Sequence, residues 1–266
     1  MTQEEKLIYL IRALLNEDER YGDMELPELE QDRKNLLRAL MNVRMPKKIS
    51  RQFLEVQDSY LQEESRRNGI TDINELTPVP LDPCIYLWQG DITTLRCDAI
   101  VNAANAQMLG CFQPLHGCID NIIHTKAGIQ LRLACHRLMI EQRCEEPTGE
   151  AKITSAYNLP CKYVLHTVGP IVQGPLREEH ERLLASCYRS CLELAQLSGV
   201  RHIAFCCIST GVFMFPNERA AEIAVYTVNT WLNETGSNMK VIFNVFKDID
   251  LMLYKYCLCE TEADTE

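Results

Sequence analysis

The sequence predicts an α/β layered domain that follows a separate helical segment. Residues 1 to about 69 carry apolar side chains at the spacing of amphipathic helices. From Cys84 onward, short apolar runs alternate with longer helical patterns, which is typical of a sheet covered by helices. The stretch from Ile70 to Pro83 contains three prolines and predicts a linker or an extended strap. We therefore predict a helical extension and linker over residues 1–83 and the α/β domain over residues 84–266.

Amphipathic helices are predicted in the N-terminal region. Their apolar positions recur every three or four residues, and glycines and prolines separate them. The apolar positions are Leu7, Leu10, Ile11, Leu14 and Leu15, then Leu36, Leu37, Leu40 and Met41, then Phe53, Leu54, Tyr60 and Leu61; the breaks are Gly22, Pro27, Pro46 and Gly69. Covering one face of the sheet domain, recognising a partner protein and self-association all remain open as roles for this region.

The α/β domain alternates predicted strands and helices. The predicted strands are Ile85–Trp88, Ala99–Val101, Ala151–Tyr157, Tyr163–Val168, His202–Ile208 and Val241–Phe246, and the helices are Ile119 to about Arg143, Glu178–Leu197 and Asn217–Leu232. In such a fold the ligand crevice lies at the carboxyl ends of the strands. The loops that carry Asn102, Cys111 and Ser209 follow strands and precede helices, so we expect them to line that crevice.

Composition favours an ordinary globular protein. With 266 residues, 46% of them hydrophobic, the chain can bury a large core, and its formal net charge is −10. That charge disfavours nonspecific binding to nucleic acid, whose backbone attracts Lys and Arg. It still permits a small anionic ligand held by backbone N–H groups. No stretch is apolar for long enough to span a membrane, so we expect no membrane partner.

The 13 cysteines predict an intracellular protein rather than a disulfide framework. They lie mostly within apolar runs, such as Ile203–Ile208, where a free thiol behaves as a small hydrophobe. The residues Met1–Lys6 do not lead from a basic segment into an apolar one, so we expect no signal peptide. A reducing cytoplasm is the expected compartment, and it would keep Cys111 and Cys118 as thiols.

Cys111, His116 and Cys118 are the most informative residues of the chain. Two thiolates and an imidazole so close in sequence form a donor set that zinc favours. No further Cys or His lies between them, so three protein ligands would leave one position open for water or substrate, as in a catalytic zinc site. The spacing alone leaves zinc binding and three unrelated side chains equally open. The position of the set just after Asn102 and Asn105 favours zinc.

Asn102, Asn105 and Asp120 are candidate ligand-binding residues around this set. The two amides donate and accept hydrogen bonds, which suits the hydroxyls of a ribose, although Asx turns account for many loop asparagines. Asp120 follows Cys118 by two residues, at the start of a predicted helix. A carboxylate there is expected from the helix dipole alone. It would also stand close enough to a zinc on Cys118 to orient or deprotonate a water.

Two further turns are candidates for nucleotide binding. Asp91 ends a predicted strand, where its carboxylate can accept a hydrogen bond from an exocyclic amine such as that of adenine; capping of a turn is the alternative. The stretch Ser209–Pro216 follows an apolar strand and leads into a helix. Its small residues can point several N–H groups at an anion, and an ordinary strand-to-helix turn is the alternative.

The remaining histidines receive no functional role. His124 lies on the apolar side of a predicted helix and His166 lies inside a predicted strand, so both are predicted to be hydrogen-bonded core residues. His136, His180 and His202 have no companion group in the sequence. A structural zinc with a fourth ligand from His124 or another cysteine also remains open.

In their order along the chain, five segments resemble the macrodomain family. They are Gly90–Ile92, Val101–Asn105, Cys118–Asp120, His166–Pro170 and Ser209–Phe213. The resemblance runs from about Cys84 to Tyr256 and implies a three-layer α/β/α fold with a mixed central sheet and an ADP-ribose cleft. Ordinary hydrolytic macrodomains carry a glycine-rich stretch where this chain has Cys111–Cys118. That stretch and the helical N-terminal extension are similar to the zinc-containing subgroup, often encoded beside a sirtuin-type ADP-ribosyl transferase and a lipoyl carrier protein.

The resemblance implies a role for each candidate residue. Asp91 and Ile92 would contact the adenine, with Phe246 near it. The diphosphate would lie in the loop formed by Ser209, Thr210, Gly211, Val212 and Phe213, and the distal ribose would lie among Asn102, Asn105, Cys118, Ile119 and Asp120. Asn105 and Asp120 would be the catalytic residues, and Cys111, His116 and Cys118 would hold Zn²⁺.

The function that the resemblance implies is zinc-dependent protein-ADP-ribose hydrolysis, which removes mono-ADP-ribose from Asp or Glu side chains. The implied partner is the ADP-ribose of a modified protein, with a lipoyl carrier protein as one candidate and a functional link to a sirtuin-type transferase. Zinc would anchor the distal ribose or activate the attacking water. Two alternatives remain open, a non-catalytic module that reads ADP-ribose and a deacetylase of O-acetyl-ADP-ribose.

Overall fold

Three helices form an annex at the N-terminus. The computed structural model describes residues 1–22, 24–80 and 82–259, so the last residues of the predicted α/β domain, 260–266, lie outside the described part of the chain. The annex helices are α1 (Gln3–Leu15), α2 (Glu30–Val43) and α3 (Arg51–Asn68). Thr2 and Glu5 form a capping box at the start of α1, and the Ser50 hydroxyl caps α3. The apolar faces of the three helices pack into a core of their own.

Most strands of the chain form one mixed sheet. The strands are β1 (Thr71–Asp72), β2 (Pro78–Val79), β3 (Asp82–Gln89), β4 (Leu95–Arg96), β5 (Ala99–Ala104), β6 (Ala151–Ser155), β7 (Tyr163–Val168), β8 (His202–Phe205) and β9 (Lys240–Val245). Seven of them pair in the order β2-β3-β9-β8-β5-β7-β6, while β1 and β4 form a separate parallel pair. The five inner strands are parallel and the two edge strands are antiparallel. Nearly every residue of β5 is buried, as expected for a parallel strand covered on both faces.

Two groups of helices cover this sheet. The helices are α4 (Ile119–Ala127), α5 (Ile129–Gln142), α6 (Glu178–Leu197), α7 (Asn217–Thr235) and α8 (Asp248–Cys259). Helix α7 packs between α6 and α8, while α4 and α5 pack against each other and against β5 and β6. Helix α4 also contacts α2 and α3 of the annex. The layered α/β fold predicted from the sequence is therefore confirmed.

The prediction of one helix from Ile119 to about Arg143 is wrong, because Gly128 divides it into α4 and α5. Gly128 has a φ of +95°, and a Cβ there would lie 2.6 Å from the Gln57 amide nitrogen. The Gln57 side chain accepts a hydrogen bond from the N–H of Ile129 at 3.0 Å. A residue of the annex therefore satisfies the first backbone donor of α5, and only glycine leaves room for it.

Other predicted elements differ from the structure mainly at their ends. The strand predicted over His202–Ile208 ends at Phe205, the last residue of β8 that pairs with β9. The strand predicted over Ala151–Tyr157 ends at Ser155. The predicted linker contains β1 and β2, and β2 pairs with β3 at the edge of the main sheet. Helix α8 was missed, and its buried residues include Tyr254 and Leu258.

The annex and the sheet domain share side chains across their contact. Ile129, at the start of α5, packs in the apolar core of the annex. The Arg132 guanidinium donates to the carbonyl of Met41 at 2.9 Å and to that of Arg44 at 2.6 Å, at the end of α2. The division of the chain into residues 1–83 and 84–266 stays a prediction. The contacts of Ile129 and Arg132 join the two parts across that boundary. Among the helices that the structure describes, none has the length and apolar character needed to cross a lipid bilayer.

Candidate active site

Loops from several parallel strands meet at one edge of the sheet. Gly90 follows β3, Asn105 follows β5, and Phe246 follows β9. Residues 206–216 lead from β8 into α7 and contain Ser209. Because β3, β9, β8 and β5 are parallel neighbours, their carboxyl ends lie side by side. This edge is where α/β sheets bind ligands, and it carries the predicted site residues.

The segment from Gly110 to Cys118, here named the metal loop, brings three donor side chains together. The Cys111 Sγ, a His116 ring nitrogen and the Cys118 Sγ all lie within 4.8 Å of one another. The Cys111 Sγ is 3.6 Å from the His116 Nδ1. Cys118 caps the N-terminus of α4, where its thiol accepts from the N–H of Asn121 at 3.4 Å. All three side chains are half-buried.

This donor set fits zinc. A sulfur about 2.3 Å and a nitrogen about 2.0–2.1 Å from a tetrahedral zinc lie about 3.6 Å apart. The Cys111 and His116 donor atoms are separated by 3.6 Å. Burial and then the neighbouring Cys111 thiol raise the pKa of Cys118 to about 11. A divalent cation would offset both effects, because it stabilises a thiolate.

The described residues offer no fourth donor beside Cys111, His116 and Cys118. Among the described residues, no other Cys, His, Asp or Glu atom joins the group at this spacing. His124 instead groups with Cys135 and His166 in the interior. A structural site closed by His124 therefore gains no support from the described residues.

Asp120 lies behind the metal loop, in the first turn of α4, and is only 4% exposed. Its Oδ1 accepts from the Asn102 Nδ2 at 2.8 Å, and the Asn105 Nδ2 donates to its Oδ2 at 3.4 Å. Burial raises the pKa of Asp120 to about 6, although the hydrogen bond from Asn102 opposes the shift. The predicted residues Asn102, Asn105 and Asp120 therefore meet at the end of β5, although Asp120 lies 15 residues after Asn105 in the chain.

Asn102 is held in place from β6 and β7. Its Nδ2 also lies 3.2 Å from the His166 Nδ1, while the His166 Nε2 lies 2.9 Å from the Thr154 hydroxyl. Because an amide N–H donates to Nδ1, the His166 proton belongs on Nε2, which donates to Thr154. The Asn102 Oδ1 is buried and has no hydrogen-bond partner among the described residues. Such an oxygen is an acceptor available to a ligand hydroxyl.

Both His124 and His166 were predicted to be hydrogen-bonded core residues. The prediction is confirmed for His166 and wrong for His124. Both are buried, but only His166 is hydrogen-bonded; neither ring nitrogen of His124 has a hydrogen-bond partner within the described chain. The His124 Nε2 lies 3.5 Å from the Asp120 Oδ1. Burial and then the neighbouring His166 and Arg132 lower the pKa of His124 well below its usual value. A neutral imidazole therefore packs beside the Asp120 carboxyl group.

The loop after β8 has a backbone shape that is costly to maintain. Ser209 has a φ of +66° and is 6% exposed, and its Oγ has no hydrogen-bond partner among the described residues. Gly169 leaves room for it, since a Cβ at that position would collide with the Ser209 hydroxyl. Strain of this kind concentrates at functional sites. The rest of the predicted loop includes Gly211 and Val212, which are exposed in front of α7.

At the end of β3, Asp91 is in part a capping residue. Its Oδ1 accepts from the N–H of Thr93 at 2.9 Å and from the Thr93 hydroxyl at 2.6 Å. Ile92 as a whole residue is 1% exposed and its side chain belongs to the core, so that side chain is closed to a ligand. Phe246, 74% exposed after β9, presents its ring to solvent.

The residues that hold the backbone of the metal loop were not predicted from the sequence. Asn121 donates to the carbonyls of Cys111 at 3.3 Å and of Gln113 at 2.9 Å. Arg132 donates to the carbonyl of Leu109 at 2.6 Å, and its guanidinium lies 4.4 Å from the centre of the Phe112 ring. Arg38 and Asn42 reach the loop from α2. Polar residues spaced four apart beside the apolar positions of α2 are the signal that was available.

Comparison with known proteins places the chain in a family. A family model described as Macro domain matches residues 101–224. A protein of Treponema medium named Protein-ADP-ribose hydrolase is 57% identical over 256 residues, which cover 96% of this chain and 98% of that one. A protein of the same name from Staphylococcus aureus strain MRSA252 is 51% identical, with 94% of each chain covered.

A solved macrodomain structure agrees with the family match. The Trypanosoma brucei macrodomain in complex with ADP-ribose is 32% identical, has a TM-score of 0.65, and is matched over 83% of this chain and 94% of that one. Relatives this similar over nearly their whole length make the protein an enzyme of the hydrolase class. The chain belongs to the Macro domain family.

Proposed function

We propose that this protein hydrolyses the bond between the distal ribose of ADP-ribose and an Asp or Glu side chain of a modified protein. Water would cleave the bond at C1″, so that ADP-ribose and a free carboxylic acid leave. The observation that carries this proposal is the meeting of Asn102, Asn105 and Asp120 beside three convergent zinc donors. The names of the relatives from Treponema medium and Staphylococcus aureus support the substrate class.

The distal ribose is proposed to lie against the end of β5. The unpartnered Asn102 Oδ1 would accept from a ribose hydroxyl, and Asn105, which already donates to Asp120, would orient the same sugar. The Asp120 carboxylate would direct the attacking water toward C1″ by accepting one of its hydrogens. Asn102 keeps that carboxylate in place through its 2.8 Å hydrogen bond.

The nucleotide end is proposed to extend along the sheet edge. The loop Ser209–Phe213 would surround the diphosphate with backbone N–H groups and the free Ser209 hydroxyl, ahead of the N-terminus of α7. The adenine would lie near Asp91 and the main chain of Ile92, with the exposed Phe246 ring beside it. Ile119 and Cys118 would close the cleft from the start of α4.

Cys111, His116 and Cys118 are proposed to hold Zn²⁺ with a fourth position free for a ligand. When bound, zinc supplies Lewis-acid chemistry that polarises a ribose oxygen or lowers the pKa of water. A lipoyl carrier protein is one proposed substrate, and a sirtuin-type transferase would supply the modification. The cytoplasm is the proposed compartment.

Release of label from a modified protein tests this function. A target carrying radiolabelled ADP-ribose on Asp or Glu should lose it at substoichiometric enzyme, with intact ADP-ribose as product. Retention of the label at stoichiometric protein would identify a reader module instead. Faster turnover of O-acetyl-ADP-ribose than of the modified protein would favour the small ester as substrate.

A further inference from the structure

Helix α2 of the annex contacts the metal loop through two residues one turn apart. Arg38 and Asn42 are spaced i and i+4, so both side chains leave the same face of the helix. They belong to the annex, for which no single role could be chosen from the sequence, and they lie 78 and 73 residues before their loop partners. Their hydrogen bonds to the loop are the informative feature.

Arg38 links the two ends of the metal loop. Its Nη2 donates to the carbonyl of His116 at 2.6 Å and to the Asn121 Oδ1 at 2.9 Å. The Asn121 amide in turn donates to the carbonyls of Cys111 and Gln113. One guanidinium nitrogen therefore fixes the backbone of His116 directly and that of Cys111 through one intermediate side chain.

Asn42 holds the residue just before His116. Its Oδ1 accepts from the N–H of Leu115 at 3.0 Å, and its Nδ2 donates to the Thr125 hydroxyl on α4 at 3.0 Å. Leu115 has a φ of +57°, a conformation that a leucine adopts only when its surroundings impose it. Asn42 is 1% exposed, so its hydrogen bonds are shielded from water. The turn that aims the His116 imidazole is thus held by the annex.

We propose that Arg38 and Asn42 are positioning residues of the metal site. Through them, the annex holds the metal loop in the conformation that binds the metal. This rests on the proposed zinc site. A loop whose donors are already held in place loses little conformational freedom when a metal binds, whereas a free loop loses the freedom of every residue it must order. Residues behind metal ligands typically account for about 10- to 100-fold in metal affinity.

Competition with a chromogenic zinc chelator measures this effect without reference to activity. We expect Arg38→Met to weaken zinc binding about 10- to 100-fold. Arg33→Met is the matched control, because Arg33 lies on the same helix and donates to Pro27, Glu28 and Glu4 but not to the loop. It should leave zinc affinity within about threefold. Arg38→Lys, which keeps a cationic donor, should fall between the wild type and Arg38→Met.

Thermal unfolding of the same variants separates positioning from loss of fold. Arg38→Met and Arg33→Met should lose similar stability without zinc, and only Arg38→Met should also show a smaller zinc-induced rise in Tm than the wild type at the same zinc concentration. If both arginine variants bind zinc like the wild type, or both weaken it equally, the inference is overturned while the zinc site stands. A wild-type chain that takes up no zinc would remove the proposed metal together with this inference.

Discussion

At the residue scale, the central pair is Asp120 and Asn102, joined by a 2.8 Å hydrogen bond in a buried setting. Asp120→Asn keeps the size of the side chain but removes the negative charge and its ability to accept a proton. We expect label release to fall by at least about 100-fold, because a lost general base or water-orienting group costs about that much or more. Single-turnover kinetics with the modified protein is the measurement.

The binding of free ADP-ribose provides the control for Asp120→Asn. Affinity measured by calorimetry should change by less than about tenfold, since the adenine and diphosphate contacts remain. Glu179→Gln, which removes an exposed charge on α6, should leave both quantities unchanged. An Asp120→Asn variant that releases label at the wild-type rate would exclude Asp120 from the chemistry.

We expect the buried His166 to make the free energy of unfolding depend on pH. Burial lowers the pKa of His166 to about 3, whereas an unfolded histidine titrates near about 6.5. The unfolded chain therefore binds the extra proton first as the pH falls, and stability is full above about pH 6.5 and is lost toward about pH 3. Between pH 7.5 and 5.0 this one residue should remove about 2 kcal/mol from the free energy of unfolding.

Urea unfolding at these two pH values checks the effect. His166→Gln retains a polar side chain for Asn102 and Thr154 but cannot titrate. Its free energy of unfolding should therefore change by about 2 kcal/mol less than that of the wild type over the same interval. Equal pH dependence in the two proteins would mean that His166 does not remain neutral in the fold.

How far single residues could be predicted depended on their separation in sequence. Cys111, His116 and Cys118 were predicted as a group because zinc ligands in one loop form a local pattern, and the structure brings them together. Arg38 could not be paired with His116, because the chain between them carries no local signal of that contact. Asp91 was a candidate from its place at the end of a predicted strand, and Ile92 was added by the family resemblance. Only the structure shows how far capping and burial limit their contacts.

At the element scale, the junction between α4 and α5 depends on Gly128. A Cβ there would meet the Gln57 amide at 2.6 Å, while one at Gly69 would meet nothing within 4 Å, although both residues have a positive φ. We expect Gly69→Ala to cost about 1–3 kcal/mol from the backbone conformation alone. Gly128→Ala should cost at least about 1 kcal/mol more, because Gln57 must abandon the N–H of Ile129.

Chemical denaturation of the two glycine variants gives this difference directly, since the backbone term is common to both. Equal losses of stability would show that the Gln57 contact contributes nothing to the junction. The sequence could not reveal this break. Apolar residues keep the helical period across Gly128, and the reason for the break lies in α3, on another part of the chain.

At the scale of the whole molecule, the annex and the sheet domain should unfold together. Ile129 of α5 packs in the annex core, and Arg132, 5% exposed, donates to two carbonyls at the end of α2. Separating the two parts would expose that apolar residue and leave buried donors without partners. We expect amide exchange to give the same free energy of opening, within about 1 kcal/mol, for α1 and for β5.

A lower value for α1 would contradict this, since the annex would then be an independently opening unit. The sequence predicted the annex helices and the layered sheet domain, because each follows its own hydrophobic period. It did not predict how they join, because that joint consists of single side chains such as Gln57 and Arg132 that bind backbone groups distant in sequence.

Zinc dependence of the hydrolysis is the most direct test of the whole account. Label release should be measured for the protein as purified, after removal of metal by a chelator, and after zinc is returned. We predict about one zinc per chain, a loss of activity on chelation and its recovery when zinc is returned. Cys118→Ala should hold no zinc and should gain no activity when zinc is added. A metal-free chain that releases ADP-ribose at the full rate would contradict the account.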